Sequence, residues 1–325
     1  MKASVYRQYG SWDQLHLEDV AKPVVKRGEV LVKVKASSIN SWDVDLLKGD
    51  TWLIRAMNGF FRPKHKILGA DVAGVVEAVG ENVQRLRVGD EVYGDIAEAH
   101  FGGLSEYVAV PEKLMASKPK NLSFAEAASL PQAGLLAIQG LRFHGDIHKD
   151  QKILINGAGG GVGTLALQYA KVIGAEVTCV DRKEKFEILH SLGADHIIDF
   201  TITDYTNTGK MYDKVLDVTA HRSTAAYKRS LKPDGVFAMI GGSMGGLLFR
   251  MMVIEPFLSR YRKKKLGIMP YQAGYRELEV ITHLVEGGSL KPVVDSVFSL
   301  DQANEAFRKV MSGAFCGKVV IQNEK

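Results

Sequence analysis

The sequence contains very little cysteine. Its 325 residues include only two thiols, Cys179 and Cys316, which lie far apart in the chain. Two such thiols give no disulfide framework. A zinc site needs about four nitrogen, oxygen or sulfur ligands within tetrahedral reach. The composition therefore excludes a disulfide-stapled scaffold and a zinc site built from cysteine.

Long apolar runs and a strong charge bias are also missing. No apolar run reaches the roughly 18 residues of a membrane span, and the first residues, MKASVYRQYG, lack the apolar core of a signal peptide. The net charge is only +5, with both signs well mixed, which does not predict nucleic-acid binding. The nine histidines show no ligand spacing. We therefore expect a globular, cytoplasmic protein.

Residues 1–122 have the pattern of β-structure. Val30–Ala36 alternates apolar and polar side chains, as a half-buried strand does. Val72–Val79 and Glu91–Gly94 are further strand candidates, and short glycine-containing connections separate the candidates. This pattern predicts a small antiparallel barrel.

The pattern changes at Ser123. Ser123 and Glu126 fit a capping box, and an Ala/Leu-rich helix is expected from Ala125 to Leu141. Short apolar strands then alternate with helices: strands at Lys152–Ile155, Glu176–Val180, His196–Asp199, Lys214–Val218 and Val236–Ile240, and helices at Thr164–Ile173 and Lys185–Leu192. Such alternation predicts an α/β domain with a doubly wound parallel sheet.

A glycine-rich turn joins the first strand of this region to its first helix. Its register is Ala-x-Gly-x-x-Gly, with Ala158 where the strict fingerprint has glycine. In a strand-turn-helix context, such a turn lets backbone amides approach a pyrophosphate at a helix N-terminus. The loop residues expected to bind a dinucleotide are Ala158, Gly159, Gly160, Gly161, Val162 and Gly163.

Residues after the second strand give conflicting signals about the cofactor. Asp181 ends that strand, where an acid usually accepts hydrogen bonds from the adenosine ribose and favours NAD. Arg182 and Lys183 follow at once, and cations there can hold the 2′-phosphate of NADP or belong only to a solvated turn. All three residues are candidate cofactor contacts.

Several stretches resemble one known family. Asp150–Lys171, around the glycine turn, closely resembles the signature of the zinc-free quinone oxidoreductase (zeta-crystallin-like) family of medium-chain dehydrogenases/reductases. Ser38–Asp43 is similar to that family's Asn-Pro-x-Asp segment, with serine in place of proline, and Ser129–Gly134 resembles its LPxAG segment. The resemblance implies a GroES-like β-barrel catalytic domain in residues 1–122 and 266–325, and a Rossmann NAD(P)-binding domain in residues 123–265.

The resemblance also addresses metal binding. Zinc-dependent relatives place a cysteine near the position of Asn40 and a Gly-His-Glu at Gly69–Asp71. Here no cysteine lies near residue 40, and Ala70 replaces the histidine. We therefore predict no metal, and we expect Asp71 to cap or brace the strand that begins at Val72.

The same resemblance implies further site residues. Asn40 and Asp43 are expected at the end of a barrel strand that faces the nicotinamide. Asn40 would orient or polarise the acceptor, and Asp43 would hold the loop rather than transfer a proton. The other residues expected to contact the cofactor are Gly134, Phe200, Thr219, Gly241 and Lys318, of which Lys318 could instead only cap its strand.

Two apolar segments have several interpretations. The aromatic residues between Thr51 and Pro63 indicate a larger, apolar acceptor, a part of the core or a partner contact. Leu247–Leu258 precedes the basic run Arg260–Lys265. That segment could form a lid over the substrate pocket, a dimer contact or a peripheral contact with an anionic membrane.

The reaction implied is hydride transfer from NADPH, or from NADH, to a quinone or an α,β-unsaturated carbonyl. In such acceptors charge spreads onto an enolate or quinol oxygen, which hydrogen-bond donors can stabilise without a metal. One alternative is a cofactor-binding, membrane-associated scaffold with little turnover, and another is an alcohol dehydrogenase. We expect a homodimer with a small-molecule substrate and no nucleic-acid partner.

Overall fold

The computed structural model describes residues 1–242, 247, 250–258 and 263–323, and the chain forms two compact units. The first comprises Met1–Gln132, Ala273–Gly288 and Pro292–Lys325, and the second comprises Ala133–Gln272 and Ser289–Lys291. The first unit thus includes residues 123–132, which the sequence assigned to the Rossmann domain, and the second continues to residue 272.

The strands are numbered in chain order. They are β1 (Lys2–Val5), β2 (His16–Asp19), β3 (Glu29–Ser38), β4 (Asp71–Val79), β5 (Glu91–Asp95), β6 (Tyr107–Pro111), β7 (Met115–Ser117), β8 (Lys152–Asn156), β9 (Glu176–Asp181), β10 (His196–Asp199), β11 (Tyr212–Asp217), β12 (Leu231–Met239), β13 (Lys265–Ile268), β14 (Val294–Ser299) and β15 (Lys318–Gln322).

The helices follow the same convention. They are α1 (Ser41–Lys48), α2 (Trp52–Asn58), α3 (Phe124–Ala128), α4 (Pro131–Arg142), α5 (Gly161–Ile173), α6 (Phe186–Ser191), α7 (Thr224–Arg229), α8 (Glu255–Leu258), α9 (Tyr275–Glu286) and α10 (Ala303–Ser312).

The first unit is built on a sheet with the order β14-β15-β3-β4-β5-β7, in which β6 also pairs with β3. Its pairings are antiparallel except that of β14 with β15. Alternate valines of β3 and β4 are buried in one apolar core. The register sets Ser38, the last residue of β3, opposite both Asp71 of β4 and Val320 of β15. The ends of these three strands therefore meet.

The second unit contains a sheet with the order β10-β9-β8-β11-β12-β13, and every pairing in it is parallel. Counted from β8, this is the strand order of a Rossmann sheet. The parallel sheet predicted from the β-α-β rhythm is therefore confirmed. The carboxyl ends of its strands lie along one edge of the sheet. The residues expected to contact the cofactor after these strands therefore lie along that edge.

The helix predicted over Ala125–Leu141 is divided in the structure. A capping box begins α3, because the backbone N–H of Ser123 donates to Glu126 Oε2 at 2.9 Å and that of Glu126 to Ser123 Oγ at 3.3 Å. The helix then stops at Ala128, and α4 starts at Pro131. Proline has no N–H to continue the helical ladder and disfavours helical backbone in the residue before it, which accounts for the break.

Several large apolar side chains of the two apolar segments are exposed to solvent. Trp52, Phe60 and Phe61 are exposed, so that the assignment of these aromatic rings to a core is wrong. In the second segment, residues 243–246, 248, 249 and 259–262 lie outside the described residues, and Met252 and Phe257 are exposed. In the described part of the chain, none of the helices has the length and apolar character needed to cross a membrane.

Candidate active site

The glycine turn has the geometry of a dinucleotide-binding loop. It connects β8 to α5, and Gly160 is the N-cap residue of that helix. The positive φ of the turn, +81°, falls on Gly157. The backbone of Ala158 does not take that conformation, which explains why alanine is tolerated at the position of the first glycine.

Gly160 and Gly163 serve different purposes. A Cβ on Gly163 would lie 2.4 Å from Ala158 Cα, so only glycine lets the helix approach the turn this closely. Within the part of the chain that the structure describes, the nearest non-adjacent atom to a Cβ on Gly160 would be Gly157 O at 3.5 Å, so one side of Gly160 is open. An open backbone at a helix N-terminus is what a pyrophosphate requires.

Asp181 is engaged with the glycine turn. Its Oδ2 accepts from the backbone N–H of Gly159 at 2.7 Å, and its Oδ1 accepts from that of Arg182 at 2.9 Å. The ammonium of Lys185, four residues on, lies 3.4 Å from Oδ1. Sequence reasoning missed Lys185, although the Asp-x-x-x-Lys spacing was visible. The carboxylate thus supports the turn and is partly neutralised by a cation.

A polar network fixes the neighbouring strand ends β8 and β11. Asp217 is buried, and its Oδ1 accepts from Asn156 Nδ2 at 2.7 Å and from the backbone N–H of Thr219 at 3.0 Å. Asn156 Nδ2 also donates to Thr219 Oγ1 at 3.2 Å. Burial raises the pKa of Asp217, and these hydrogen bonds oppose the shift. The network positions Thr219 at the carboxyl edge of the sheet.

The remaining cofactor candidates of the second unit occupy expected positions. Phe200 follows β10 and Gly241 follows β12, both beyond strand ends of the parallel sheet, and Gly134 is buried within α4. The guanidinium carbon of Arg182 lies 5.8 Å from the ring centroid of Phe200. The structure therefore brings most of these residues to the carboxyl edge, where ligands bind in open α/β sheets.

In the first unit, a buried polar cluster forms where β3, β4 and β15 meet. Asp71 is its centre: Oδ2 accepts from Ser38 Oγ at 3.0 Å, from Asn40 Nδ2 at 3.0 Å and from Lys318 Nζ at 3.3 Å. Lys318 Nζ also donates to Asn40 Oδ1 at 2.5 Å. Lys318, grouped with the cofactor residues in the sequence analysis, thus lies beside Asn40. Asp71 braces the start of β4, as expected.

Asp43 holds the loops on both sides of this cluster. Its Oδ2 accepts from the backbone N–H of Asn40 at 2.9 Å, and its Oδ1 accepts from that of Gly69 at 2.8 Å. The side chain is fully buried, and burial raises its pKa to about 6, against the lowering effect of the two amides and of Lys318. Both oxygens are occupied by backbone donors, which is the geometry of a residue that positions a loop.

Gln132 and Asp95 extend the cluster, and neither was a candidate from the sequence. The backbone N–H of Gln132 donates to Asp71 Oδ1 at 2.8 Å, and its side-chain Nε2 donates to Asp95 Oδ2 at 3.3 Å. Gln132 stood within the LPxAG-like segment, but nothing in that segment indicated a contact with Asp71. Asp71 therefore receives four donors in this unit, from Ser38, Asn40, Lys318 and Gln132.

Comparisons with known proteins give the same assignment over most of the chain. Residues 26–120 match the alcohol dehydrogenase GroES-like domain, and residues 192–321 match the zinc-binding dehydrogenase family. The chain is 40% identical to a 2-methylene-furan-3-one reductase of Solanum lycopersicum over 99% of its length and 79% of the relative's. The chain belongs to the quinone oxidoreductase family of medium-chain dehydrogenases/reductases.

Other proteins of this family are similar over most of their length. The chain is 36% identical to the chloroplastic NADPH-dependent alkenal/one oxidoreductase of Arabidopsis thaliana, over 99% of this chain and 79% of that protein. The solved structure of the quinone oxidoreductase from Coxiella burnetii superposes with a TM-score of 0.88 at 28% identity, covering 99% of both chains. The GroES-like and Rossmann-type architecture expected from the sequence is therefore confirmed.

A zinc ion, which the matched family's name implies, does not fit the polar cluster of this family member. Among the residues that the structure describes, no group of three or more His, Cys, Asp or Glu side chains could hold a metal. Ala70 offers no ligand atom, and Asp71 is already surrounded by donors. The cluster also contains the ammonium of Lys318, whose positive charge would repel a metal ion.

Proposed function

We propose that the protein is a zinc-independent, NAD(P)H-dependent oxidoreductase that transfers hydride to a quinone or an α,β-unsaturated carbonyl compound. The glycine turn carries this proposal, because its open Gly160 at the N-terminus of α5 suits a dinucleotide pyrophosphate. Relatives named as a furanone reductase, an alkenal/one oxidoreductase and a quinone oxidoreductase support the acceptor class.

The chain's own residues divide into two groups in this proposal. In the second unit, the turn residues 158–163 bind the pyrophosphate, and Thr219, Phe200 and Gly241 line the carboxyl edge that receives the rest of the cofactor. The bound reduced nicotinamide supplies the hydride. In the first unit, Asn40 orients the acceptor from the polar cluster, while Asp43 fixes the backbone on which Asn40 is carried.

Steady-state oxidation of NADPH and NADH tests the proposal. We expect the purified protein to oxidise a reduced nicotinamide in the presence of enones, alkenals or quinones, and to show little reduction of NAD(P)+ by saturated alcohols. The readout is absorbance at about 340 nm. Cofactor binding without turnover across the whole acceptor panel would favour the scaffold alternative. Robust oxidation of simple alcohols would favour an alcohol dehydrogenase.

We further propose that NADPH is the preferred cofactor. The side chains of Arg182 and Lys183 are exposed just beyond β9, where they can reach a 2′-phosphate. Lys185 offsets the negative charge of Asp181, which would otherwise repel that phosphate. We expect Arg182→Ala to raise the KM for NADPH roughly tenfold and to leave that for NADH nearly unchanged. A larger effect on NADH would contradict the preference.

A homodimer is the assembly that we propose. Exposed apolar side chains support an intermolecular contact, since Trp52 and Phe61 in one segment, and Met252 and Phe257 in another, would otherwise face water. Light scattering coupled to size exclusion tests the proposal, with a mass of two chains expected. A monomer that sediments with anionic liposomes would instead favour the peripheral membrane contact considered for residues 247–265.

A further inference from the structure

The polar cluster of the first unit contains a buried cation. Lys318 is only 6% exposed, and its ammonium donates to Asn40 Oδ1 and Asp71 Oδ2. A buried charge is costly unless it is paired and hydrogen-bonded. A lysine that merely capped its strand could keep its ammonium in water. The inward placement of Lys318 therefore calls for a reason beyond the stability of β15.

The surroundings of Lys318 hold its ammonium in a fixed place. Asp71 supplies the opposite charge, and its own position is secured by Ser38 and by the backbone of Gln132. Asn40 bridges the pair, because its Oδ1 accepts from Lys318 and its Nδ2 donates to Asp71. A cation held by such a network needs no reorganisation when negative charge develops near it.

Lys318 also has donor capacity left for a ligand. An ammonium carries three N–H donors and no acceptor. Within the part of the chain that the structure describes, two of them are accounted for, by Asn40 and by Asp71. The third can donate to an oxygen atom that a ligand brings to the cluster.

We propose that the Lys318 ammonium is the catalytic cation of this enzyme and takes the electrostatic role that a metal ion has in zinc-dependent dehydrogenases. Lys318 donates to the acceptor oxygen on which negative charge develops, and Asp71 is its positioning residue. Asn40, which orients the acceptor, also helps to hold the ammonium in place. This inference rests on the proposed function, since it specifies how the same site handles the acceptor. It explains how the site can stabilise this negative charge although Ala70 stands where zinc-dependent relatives have a metal-ligating histidine.

The reaction balances with Lys318 keeping its proton. A C–H bond forms at the β-carbon of the enone from the hydride of the reduced nicotinamide, which becomes oxidised by two electrons. The C=C π bond breaks, and its electron pair moves to give an enolate whose oxygen is stabilised by the ammonium. The α-carbon then takes a proton from water, the hydroxide released being neutralised by the buffer, and the C=O bond is restored.

Lys318→Met tests this role, because methionine is similar in volume and has no charge. We expect kcat/KM for an enone to fall roughly 100-fold, as on removal of one oxyanion-stabilising donor, while the Kd for NADPH, measured by fluorescence, changes less than about threefold. The matched control is Lys118→Met. Lys118 is also a buried lysine of the first unit, but its ammonium donates to the backbone oxygens of Pro119 and Leu122. The control should keep its turnover.

A second variant keeps the test decisive if Lys318→Met does not fold. Lys318→Ala leaves space for a small amine, and we expect propylammonium to restore its turnover at least tenfold, whereas propanol does not. The inference is overturned if Lys318→Met retains turnover within threefold of wild type, if its loss is matched by weaker NADPH binding, or if propanol rescues as well as propylammonium. Absence of turnover in the wild type would overturn the proposed function as well.

Discussion

At the scale of single residues, two glycines of the same turn affect different properties of the protein. Gly163 is needed for packing, because a Cβ there would lie 2.4 Å from Ala158 Cα and equally close to Gly157 O. Gly160 has open space beside it, because a Cβ there would have Gly157 O, at 3.5 Å, as its nearest non-adjacent neighbour among the described residues. This space is the one that the proposed cofactor pyrophosphate would enter. Stability and cofactor affinity can therefore be separated by two substitutions of the same kind.

We expect Gly160→Ala to weaken NADPH binding roughly tenfold or more with little change in the thermal midpoint, because the methyl group enters the space of the pyrophosphate. Gly163→Ala should instead lower the free energy of unfolding by about 1–3 kcal/mol through overpacking. Fluorescence titration and chemical denaturation measure the two quantities. A Gly160→Ala variant that binds NADPH as the wild type does would show that the cofactor approaches elsewhere.

Asp43 gives a prediction about pH. Its pKa is raised to about 6 from 3.8 by burial, so that the folded state holds a proton that the unfolded state releases. Its contribution to stability is therefore complete below about pH 4 and is lost as pH rises through about 6. Asp43→Asn removes this dependence. We expect the advantage of the wild type over Asp43→Asn in unfolding free energy to shrink by about 2 kcal/mol between pH 4 and pH 7.

Urea denaturation of the two proteins at several pH values measures this difference. Other carboxylates titrate in both proteins and cancel in the comparison. Parallel profiles for wild type and Asp43→Asn would contradict the raised pKa of Asp43.

Some site residues could be read from the sequence and others could not. The glycine turn and Asn40 carry local motifs, so their roles were expected. The contact of Lys318 with Asn40 spans 278 positions, and that with Asp71 spans 247. Only the pairing of β15 with β3 and of β3 with β4 brings these residues together. Such a contact has no signal in sequence spacing.

At the scale of elements, the C-terminal end of α4 depends on a buried lysine from β11. Lys214 Nζ donates to three backbone oxygens at or just beyond the helix end, those of Leu141, Phe143 and Gly145, at 2.6, 3.0 and 2.7 Å. The last carbonyls of a helix have no partner within it, and a cation there also interacts favourably with the helix dipole.

Lys214→Met should therefore lower the free energy of unfolding by roughly 2–4 kcal/mol, because three backbone carbonyls lose a charged donor, that of Leu141 in a buried bond and those of Phe143 and Gly145 in partly buried ones. Lys232→Met is the control, since Lys232 forms an ion pair with Asp213 and its side chain is 37% exposed. Pairs of this exposure contribute less than about 1 kcal/mol. Equal effects of the two substitutions in chemical denaturation would show that Lys214 does not cap α4.

The elements themselves were largely predictable where the pattern was regular. His196–Asp199 was expected with its observed bounds, and β8, β9 and β11 were expected to within two residues at each end. The strand β12 begins at Leu231 rather than at Val236, and β13 was not predicted. The break before Pro131 was not predicted, because the Ala/Leu-rich composition favours a helix throughout the segment. A single proline causes the break. The pairing of β6 and β15 with the same strand β3 depends on long-range register that no local pattern contains.

At the scale of the whole molecule, the proposed hydride transfer takes place without a metal. We expect elemental analysis to find far less than one zinc per chain in the purified protein. Dialysis against a chelator should leave turnover with an enone unchanged. One zinc per chain, together with activity that is lost on chelation and regained with zinc, would contradict the assignment of the cluster around Asp71 to a metal-free site.

The most direct measurement follows the hydride itself. The protein is incubated with NADPH carrying deuterium at C4 of the nicotinamide, in each of the two stereochemical positions, and an α,β-unsaturated ketone. The product is then analysed by mass spectrometry and NMR. We expect one deuterium at the β-carbon from one of the two labelled cofactors, and a solvent-derived hydrogen at the α-carbon. Formation of the saturated ketone without deuterium, or reduction at the carbonyl carbon to an allylic alcohol, would contradict the central claim.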